Sequence, residues 1–272
     1  MNHAANVETI CAEHKMTRQA YYQYRHRRAQ RLTHDATVLT HVREVRRTQP
    51  MLGTRKLKVL LKQNFQFAIG RDRLFSLLGE QQLLIRPKKK YVHTTNSHHR
   101  FRVYTNLIKE MPITRPNQVF VSDITYLATR EGFSYLALLT DLYSRKIVGY
   151  DVSTSLAHEG CVRALEMAFA SVEHPHAVIH HSDRGVQYCG TAYTTLLHNF
   201  GAQISMAEAG NVYENAVAER VNGILKTEFL LDQTFPSHRA THEAVRQAIT
   251  IYNNERPHLS LNYATPAQMY GT

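Results

Sequence analysis

From residue 117 onward, strand-like and helix-like segments follow one another in an order that few folds accommodate. "NQVFVSDITYLAT" and "FSYLALLTDLYS" are rich in β-branched and aromatic residues and flank a short turn at Gly132, which predicts a hairpin. "RKIVGYDVST" predicts a third strand, "HAVIHHSD" a fourth and "AQISM" a fifth, with helices "LAHEGCVRALEMAFASV" and "TAYTTLLHNFG" between them. Two longer helices are predicted at roughly 213–230 and 238–254. This order predicts an α/β fold with a mixed five-stranded sheet flanked by helices.

The first of these strands holds a charge in its middle. Asp123 lies in "VFVSDITYL", where a carboxylate is expensive to bury and is rarely found without a partner. A strand end or a neighbouring hydrogen-bond donor would explain Asp123 without any function. A second explanation requires further carboxylates from elsewhere in the chain.

The charge of the chain is unevenly distributed. The net charge is +11, yet residues 1–117 hold 23 Lys and Arg against 7 Asp and Glu, whereas residues 118–272 hold 10 against 15. A basic first half is typical of a protein that binds a polyanion such as nucleic acid, although a generically basic surface is the simpler alternative. The mildly acidic second half can hold carboxylates that recruit cations.

The basic half divides into helical segments and a linker. Residues 5–30 predict two short helices, the second capped by Thr17, and a helix-turn-helix-like module over 1–33. Periodic apolar residues predict a second small all-α DNA-binding domain over 34–85. Residues 86–116 predict a basic linker that tracks a phosphate backbone or is merely solvated. The DNA contacts expected here are Arg25, Arg27, Arg28, Arg55, Lys56, Lys88, Lys89 and Lys90.

Two further carboxylates follow the predicted strands. Asp183 ends the fourth strand in "HHSDRGVQY", and ligand-binding groups gather at such strand ends, although a turn-capping aspartate is equally simple. In "YENAVAERVNGILKTEF" a rotation of about 100° per residue places the apolar side chains on one face. The other face, which could also be merely solvated, carries Asn215, Glu219, Asn222, Gly223 and Lys226.

Asp123, Asp183 and Glu219 together could form a site for hard cations. Mg²⁺ takes a few carboxylates and keeps water or substrate phosphate as its other ligands. Two such ions about 4 Å apart promote phosphoryl displacement. Carboxylates crowded together repel one another, and a bound cation removes that penalty. Asp123 would then lie in mid-strand because a metal ion is its partner.

Several other residues have simpler explanations. Asp141 is expected to be structural, in a turn before Arg145. His180 and His181 alternate along a strand, which disfavours a shared metal ion. Arg256 and His258 in "ERPHLS" either hold the C-terminal segment to the core or touch DNA.

The chain also suggests a compartment. Its three cysteines, Cys11, Cys161 and Cys189, are far apart and form no C-x-x-C pair, which favours a reducing compartment. There is no apolar run long enough for a membrane span and no signal-peptide pattern, so we expect a cytoplasmic protein without a membrane partner.

Asp123, Asp183 and Glu219 resemble the DDE triad of the transposase and retroviral-integrase superfamily. Asp183 and Glu219 are separated by 35 residues, and Lys226 lies seven positions after Glu219, as is typical of the bacterial insertion-sequence branch. "SDITYL", "HSDRGVQY", "ENAVAERVNGILKTE" and "YNNERPHLSLNYATP" resemble the insertion-sequence-three family, in which the second reading frame encodes the catalytic half of the transposase. The resemblance covers nearly the whole chain.

The resemblance implies an RNase H-like catalytic core over 117–230, completed by a C-terminal helix and tail over 231–272. It implies that the triad binds two Mg²⁺ ions, for which Mn²⁺ substitutes, and that Lys226 contacts DNA near the scissile phosphate. The implied activity is cleavage at the element ends, in their terminal inverted repeats, and strand transfer into target DNA. The implied partners are DNA, further copies of the chain and a first-frame protein or fusion, with the bacterial nucleoid as the place of action.

The chain departs from the family at two positions beside the triad. The family commonly has Trp where Phe120 stands, and Asp-Asn-Ala where Glu214, Asn215 and Ala216 stand. Two other functions compete with transposition. A nuclease of the same fold would cut without joining, and a DNA-binding regulator would have a dead catalytic domain.

Overall fold

The chain begins with two helices joined by a short turn. The structure, a computed structural model, describes residues 6–85, 102–170, 172–208 and 215–271. Helix α1 spans Val7–Glu13 and helix α2 spans Arg18–Thr48. The predicted cap is confirmed, since Thr17 Oγ1 accepts a hydrogen bond of 3.2 Å from the backbone N–H of Ala20.

The length of α2 corrects a prediction. The helix expected to end near residue 30 runs without a break to Thr48, across the boundary predicted between modules 1–33 and 34–85. Residues 18–48 contain neither Gly nor Pro, so nothing in the sequence interrupts the backbone hydrogen bonds until the approach to Pro50. Residues 22–33 are all exposed, so the first half of α2 has no buried face.

The second half of α2 belongs to a small helical unit. Helices α3 (Thr54–Phe65) and α4 (Arg71–Glu80) pack against it. Their apolar faces close one core, which includes Val38, Val42, Leu57, Leu61, Leu74 and Leu78. At its rim Arg73 forms an ion pair with the buried Asp35. The helices predicted within 34–85 are therefore present, with the first of them part of α2.

A five-stranded sheet forms the second half of the chain. Its strands are β1 (Val119–Thr129), β2 (Gly132–Asp141), β3 (Ile147–Ser153), β4 (Ile179–Ser182) and β5 (Gln203–Met206). They lie in the order β3-β2-β1-β4-β5, with β1, β2 and β3 antiparallel and β4 and β5 parallel to β1. The predicted mixed sheet is confirmed. Gly132 turns the β1–β2 hairpin at a φ of 121°, which favours glycine.

Helices cover both faces of the sheet. Helices α5 (His158–Phe169), α6 (Val186–Cys189) and α7 (Thr191–Asn199) enclose one core with Phe120. Helices α8 (Ala216–Glu228) and α9 (His238–Asn254) enclose a second core with Leu127 on the opposite face. A short helix α10 (Pro266–Tyr270) follows. Because α8 and α9 share one core, residues beyond 230 complete the fold begun at 117.

Two tightly packed positions show how the helices are held to the sheet. A Cβ added to Gly149 on β3 would lie 2.1 Å from the carbonyl oxygen of Ala164, so α5 can approach β3 this closely only over glycine. Phe120, which stands where the family commonly has Trp, is fully buried and packs edge to face on Phe169 with 5.6 Å between ring centroids. The smaller ring is accommodated within the core.

The structural role expected for Asp141 is confirmed. Its side chain is buried and accepts hydrogen bonds from the backbone N–H groups of Ser144 at 2.7 Å and Asn117 at 2.9 Å. It closes the turn that precedes Arg145. His180 pairs with the Tyr193 hydroxyl at 2.8 Å and His181 with the Ser205 hydroxyl at 2.9 Å, so the two rings have separate partners.

Only part of the predicted basic linker lies within the described residues. Residues 86–101, with Lys88, Lys89 and Lys90, lie outside the described residues, whereas 102–116 is described and has no regular helix or strand.

Cys11, Cys161 and Cys189 are free thiols. Within the described ranges, every helix is too short or too polar to cross a lipid bilayer.

Candidate active site

The sheet brings two of the predicted carboxylates side by side. β4 runs parallel to β1, and the last paired residues are Ser122 and Ser182. Asp123 and Asp183 are the next residue on each strand. Since adjacent strands lie about 4.8 Å apart, these two aspartates are neighbours where β4 ends. This is the carboxyl edge of β4, where the sequence predicted the site.

Asp123 is buried and bonded, yet it resists ionisation. It is 8% exposed. The backbone N–H of Ile124 donates to Oδ1 at 2.9 Å, and Nδ2 of Asn222 donates to Oδ2 at 2.8 Å. Burial nevertheless raises the pKa of Asp123 to about 7, and the charges of Asp183 and Glu219 add to the increase. The hydrogen-bond donors that would explain Asp123 without any function are therefore present. They lower its pKa by less than burial raises it.

Asp183 has a structural role as well as its place beside Asp123. Its Oδ1 accepts a hydrogen bond of 2.9 Å from the backbone N–H of Gly185, so the turn-capping alternative is correct for this oxygen. The turn leads directly into α6 and fixes the side chain at the half-buried end of β4. After burial, the charge of Asp183 is the next largest contribution that raises the pKa of Asp123.

Glu219 approaches from the start of helix α8. It is exposed and lies in the first turn of the helix. The N-cap residue Asn215 makes no side-chain cap, and its Nδ2 donates instead to the backbone carbonyl of Ser122 at 3.1 Å. The helix therefore starts against the residue before Asp123. One turn along, Asn222, on the face predicted to carry Glu219, is the hydrogen-bond partner of Asp123.

The three carboxylates do not form a closed metal cage. Within the described part of the chain, no group of three or more His, Cys, Asp or Glu side chains is arranged so that it could hold a metal ion. Asp123 and Asp183 are adjacent, whereas Glu219 acts on Asp123 through its charge. What the described residues provide is an aspartate pair with a third carboxylate nearby.

Lys226 lies on the same side of α8. Its Nζ is 4.6 Å from the centre of the Tyr126 ring on β1. Burial lowers the pKa of Lys226, and the charge of Asp123 opposes that decrease. The residue predicted to contact DNA therefore sits within electrostatic range of the candidate catalytic aspartate.

The other predicted DNA contacts lie in different surroundings. Arg25, Arg27 and Arg28 are exposed along the first half of α2, and Arg55 is exposed on α3. Arg27, Arg28 and Arg31 line a cleft of about 610 Å³ between α2 and α4. These positions remain predicted DNA contacts.

The surroundings of Lys56 contradict its predicted role as a DNA contact. Its Nζ lies 2.9 Å from Oε1 of Glu228 at the end of α8, and both side chains are mostly buried. An ammonium already paired inside the protein is not offered to a phosphate. Lys56 instead ties the helical unit to helix α8, beside a hydrogen bond of 3.2 Å that the backbone N–H of Met51 donates to the carbonyl oxygen of Glu228.

Glu228 also decides the role of Arg256. The Arg256 side chain is 2% exposed and donates to both Glu228 oxygens, from Nε at 2.9 Å and Nη2 at 2.8 Å. Of the two roles left open, holding the C-terminal segment to the core is therefore the one observed. His258 is buried as well, edge to face on Tyr252 with 5.1 Å between centroids. Neither side chain is available at the surface.

Two residues of this region were not predicted. Asn222 had been placed on the Glu219 face but given no role, and the helical spacing to Glu219 was the signal that could have identified it. Glu228 had no such signal, because Lys56 and Arg256 lie far from it in the sequence and no local pattern relates the three residues.

Comparison with known proteins decides the family. Two models of the integrase core domain match residues 113–212 and 200–266. The uncharacterized 31 kDa protein of insertion element IS600 from Shigella sonnei is 37% identical over 95% of this chain and 96% of its own length. The IS629 transposase from the same organism is 30% identical over 96% of this chain and 90% of its own length. The InsF transposase of IS3A from Escherichia coli strain K12 is 29% identical over 97% and 93%.

The chain belongs to the insertion-sequence-three family of transposases. It is an enzyme of DNA transposition with an integrase-type catalytic core. A solved simian T-cell lymphotropic virus intasome, in complex with PP2A regulatory subunit B56 gamma, is similar to this transposase over 81% of this chain and 71% of its own. The TM-score is 0.50 and the identity 16%, which makes the RNase H-like fold the shared feature.

Proposed function

We propose that Asp123, Asp183 and Glu219 are the catalytic triad of this transposase, which cuts DNA at the ends of its element and joins them to a target. The observation that carries the proposal is the Ser122–Ser182 pairing, which leaves Asp123 and Asp183 adjacent at the end of β4. The raised pKa of Asp123, with Asp183 and Glu219 among its causes, supports the inclusion of all three residues.

The donor set fits a divalent cation. Mg²⁺ is commonly held by one or two carboxylates together with substrate phosphates, so an aspartate pair is sufficient without a protein cage. A buried carboxyl with a pKa of about 7 is only partly ionised at neutral pH, and a cation beside it would favour the charged form. When bound, two Mg²⁺ or Mn²⁺ ions would activate the attacking oxygen and stabilise the leaving oxygen.

Two displacements at phosphorus account for the reaction. In the first, a water oxygen bonds to the phosphorus at an element end while the P–O3′ bond breaks, and the 3′ oxygen leaves with a proton. In the second, this 3′-hydroxyl loses its proton, bonds to a target phosphorus and displaces the target's own 3′ oxygen. No bond to the protein forms, so catalysis consists of positioning and electrostatics.

The side chains of this site have distinct tasks in that scheme. Asp123 is held in one orientation by Asn222 and by the Ile124 N–H, and Asp183 by the Gly185 N–H. Lys226 would bind a phosphate beside the scissile one. The exposed Arg25, Arg27, Arg28 and Arg55 would bind the flanking duplex at the terminal inverted repeats.

Further copies of the chain are part of the proposal. Two element ends must reach one target, so we propose a homo-multimer on DNA, with a first-frame protein or fusion as an additional partner. The place of action that this implies is the bacterial cytoplasm, at the nucleoid.

A joining assay tests the function. Labelled duplex carrying the element ends is incubated with an unlabelled target, with Mg²⁺, Mn²⁺ or chelator, and with wild type or Asp183→Asn. Metal-dependent joined products that disappear in the variant, while DNA binding persists, are expected. Nicks without joining by wild type would favour a nuclease, and salt-sensitive binding without any cleavage would favour a regulator.

A further inference from the structure

Two aromatic rings stand exposed at the tip of the β1–β2 hairpin. Tyr126 is 60% exposed and Phe133 is 51% exposed. Their ring centroids are 5.5 Å apart, and the rings meet edge to face at 82°. Single exposed apolar side chains are ordinary, but a preorganised pair beside a candidate active site requires an explanation.

The sheet geometry leaves these rings uncovered. Tyr126 lies directly opposite Tyr135, and Phe133 is its diagonal neighbour on the same face. Leu127, the next residue along β1, points to the other face and packs into the core with α8. The pairing of β4 stops at Ser122 and a bridge to Phe235 begins at Thr129, so within the described residues β1 has an open edge between these positions.

The same open edge contains the candidate catalytic residue. Asp123 and Tyr126 are three residues apart on one strand, or roughly 10 Å along it, and their side chains leave opposite faces of the sheet. From α8, Asn222 reaches Asp123, and Lys226, one turn further along, reaches the Tyr126 ring. Lys226 therefore extends from the face of the sheet that carries Asp123, past the open edge of β1, to the ring of Tyr126.

We propose that Tyr126 and Phe133 form a stacking platform for an unpaired base of the DNA bound at this site. The inference rests on the proposed function, which sets a phosphodiester at Asp123. Successive nucleotides of one strand advance about 3.4 Å along the axis of a duplex and further when the strand is extended. The stacked base therefore lies within about three nucleotides of the reacting phosphate.

The position of Lys226 favours a nucleotide over a purely apolar partner for this pair of rings. Its ammonium lies over the Tyr126 ring, a contact that is weak at exposed sites. A phosphate would draw the ammonium away and leave the ring face to the attached base. Every base has a flat face, so such a platform accepts any sequence.

The test uses two labelled duplexes that differ only in their single-stranded overhang. One carries four thymidines and the other four abasic nucleotides, which keep the phosphates but lack bases. Affinity for the full chain is measured by fluorescence anisotropy in chelator, separately with 3′ and 5′ overhangs. Wild type should bind the thymidine probe of one polarity about ten-fold more tightly than its abasic partner. Tyr126→Ala should abolish this preference and leave the abasic affinity within about two-fold, as only base stacking is removed.

Two matched variants complete the experiment. Tyr126→Phe keeps the ring and should keep the preference, whereas Tyr24→Ala removes an exposed ring on α2 and should leave the preference intact. Equal affinities of wild type for both probes, a preference that survives Tyr126→Ala, or an equal loss on both probes would overturn the platform. The joining assay is independent of these outcomes, since base preference without joining retains the platform and rejects the proposed function.

Discussion

Asn222 Nδ2 donates a hydrogen bond of 2.8 Å to Oδ2 of Asp123, and this bond joins helix α8 to strand β1 inside the candidate site. It fixes the carboxylate and lowers its pKa against the opposing effect of burial. Groups that orient a metal-binding carboxylate typically change metal affinity or activity by about 10- to 100-fold when removed.

Asn222→Ala is therefore expected to slow strand joining about 10- to 100-fold and to raise the Mg²⁺ concentration needed for half-maximal rate. The measurement is a set of joining rates over a Mg²⁺ titration. Asn254→Ala, which removes an exposed amide on α9, is the matched control and should behave as wild type. An Mg²⁺ dependence identical in Asn222→Ala and wild type would contradict the orienting role.

Asp123→Asn should make the metal-free protein more stable while it abolishes joining. Burial raises the pKa of Asp123 to about 7 from its ordinary value of 3.8, so stability is lost as pH rises between these values and is constant above them. The gain at pH 8 is expected to be on the order of 2–4 kcal/mol and to vanish near pH 4. Asn222 Oδ1 has no hydrogen-bond partner among the described residues, so a flipped Asn222 amide can accept from the carboxamide that the substitution introduces.

Urea unfolding of wild type and Asp123→Asn in chelator, at pH 5 and pH 8, measures this effect. A variant no more stable than wild type at pH 8 would show that the carboxylate is accommodated without a cation. Glu166→Gln, an exposed residue on α5, serves as the control for loss of a carboxylate.

Glu228 forms ion pairs with both Lys56 and Arg256, and we expect the loss of each cation to lower the free energy of unfolding by a different amount. Burial alone would raise the pKa of Glu228, but Arg256 and Lys56 outweigh it and hold the pKa below its ordinary value. Arg256→Met removes a fully buried bidentate partner and is expected to cost about 3–5 kcal/mol of unfolding free energy. Lys56→Met leaves Glu228 with Arg256 and is expected to cost about 1–2 kcal/mol.

Urea unfolding again provides the measurement. Arg246→Met is the control, because its ion pair with Glu243 is exposed on α9 and should contribute nothing measurable. If Arg256→Met and Arg246→Met proved equally mild, Arg256 would not hold the C-terminal segment as the structure indicates.

His258 predicts a loss of stability on the acid side of neutrality. Burial, with the charge of Arg256 next in importance, lowers the pKa of His258 to about 2. Its stabilising contribution is therefore complete above the ordinary histidine pKa of 6.5 and declines as pH falls below it. Between pH 7 and pH 5, the melting temperature of wild type should fall more than that of His258→Phe, which cannot be protonated. Parallel melting curves for the two proteins would contradict this prediction.

The sequence was sufficient for elements whose signals are local. The β-branched and aromatic residues of β1 and the turn at Gly132 predicted the hairpin, and the apolar face of α8 predicted its packing. Helix α2 was predicted as two helices, one ending near residue 30 and another within 34–85, although neither Gly nor Pro separates the two segments.

Contacts between distant segments could not be predicted in this way. Lys56 looked like its basic neighbours on α3, and only the folded chain brings Glu228 to it. The hydrogen bond from Asn222 to Asp123 likewise depends on where α8 lies against β1. Local chemistry indicated the candidate site residues, and tertiary packing determined what they touch.

Strand joining by the three carboxamide variants tests the central claim most directly. Asp123→Asn, Asp183→Asn and Glu219→Gln are compared with wild type and Glu166→Gln in Mg²⁺, together with the Asp183→Asn, Glu219→Gln double variant. If the carboxylates act as one site, each single variant should lose joining by about 1,000-fold or more while still binding DNA, and the double variant should be no worse than either single. Joining by any one of the three at the rate of Glu166→Gln would remove that residue from the triad and contradict the account.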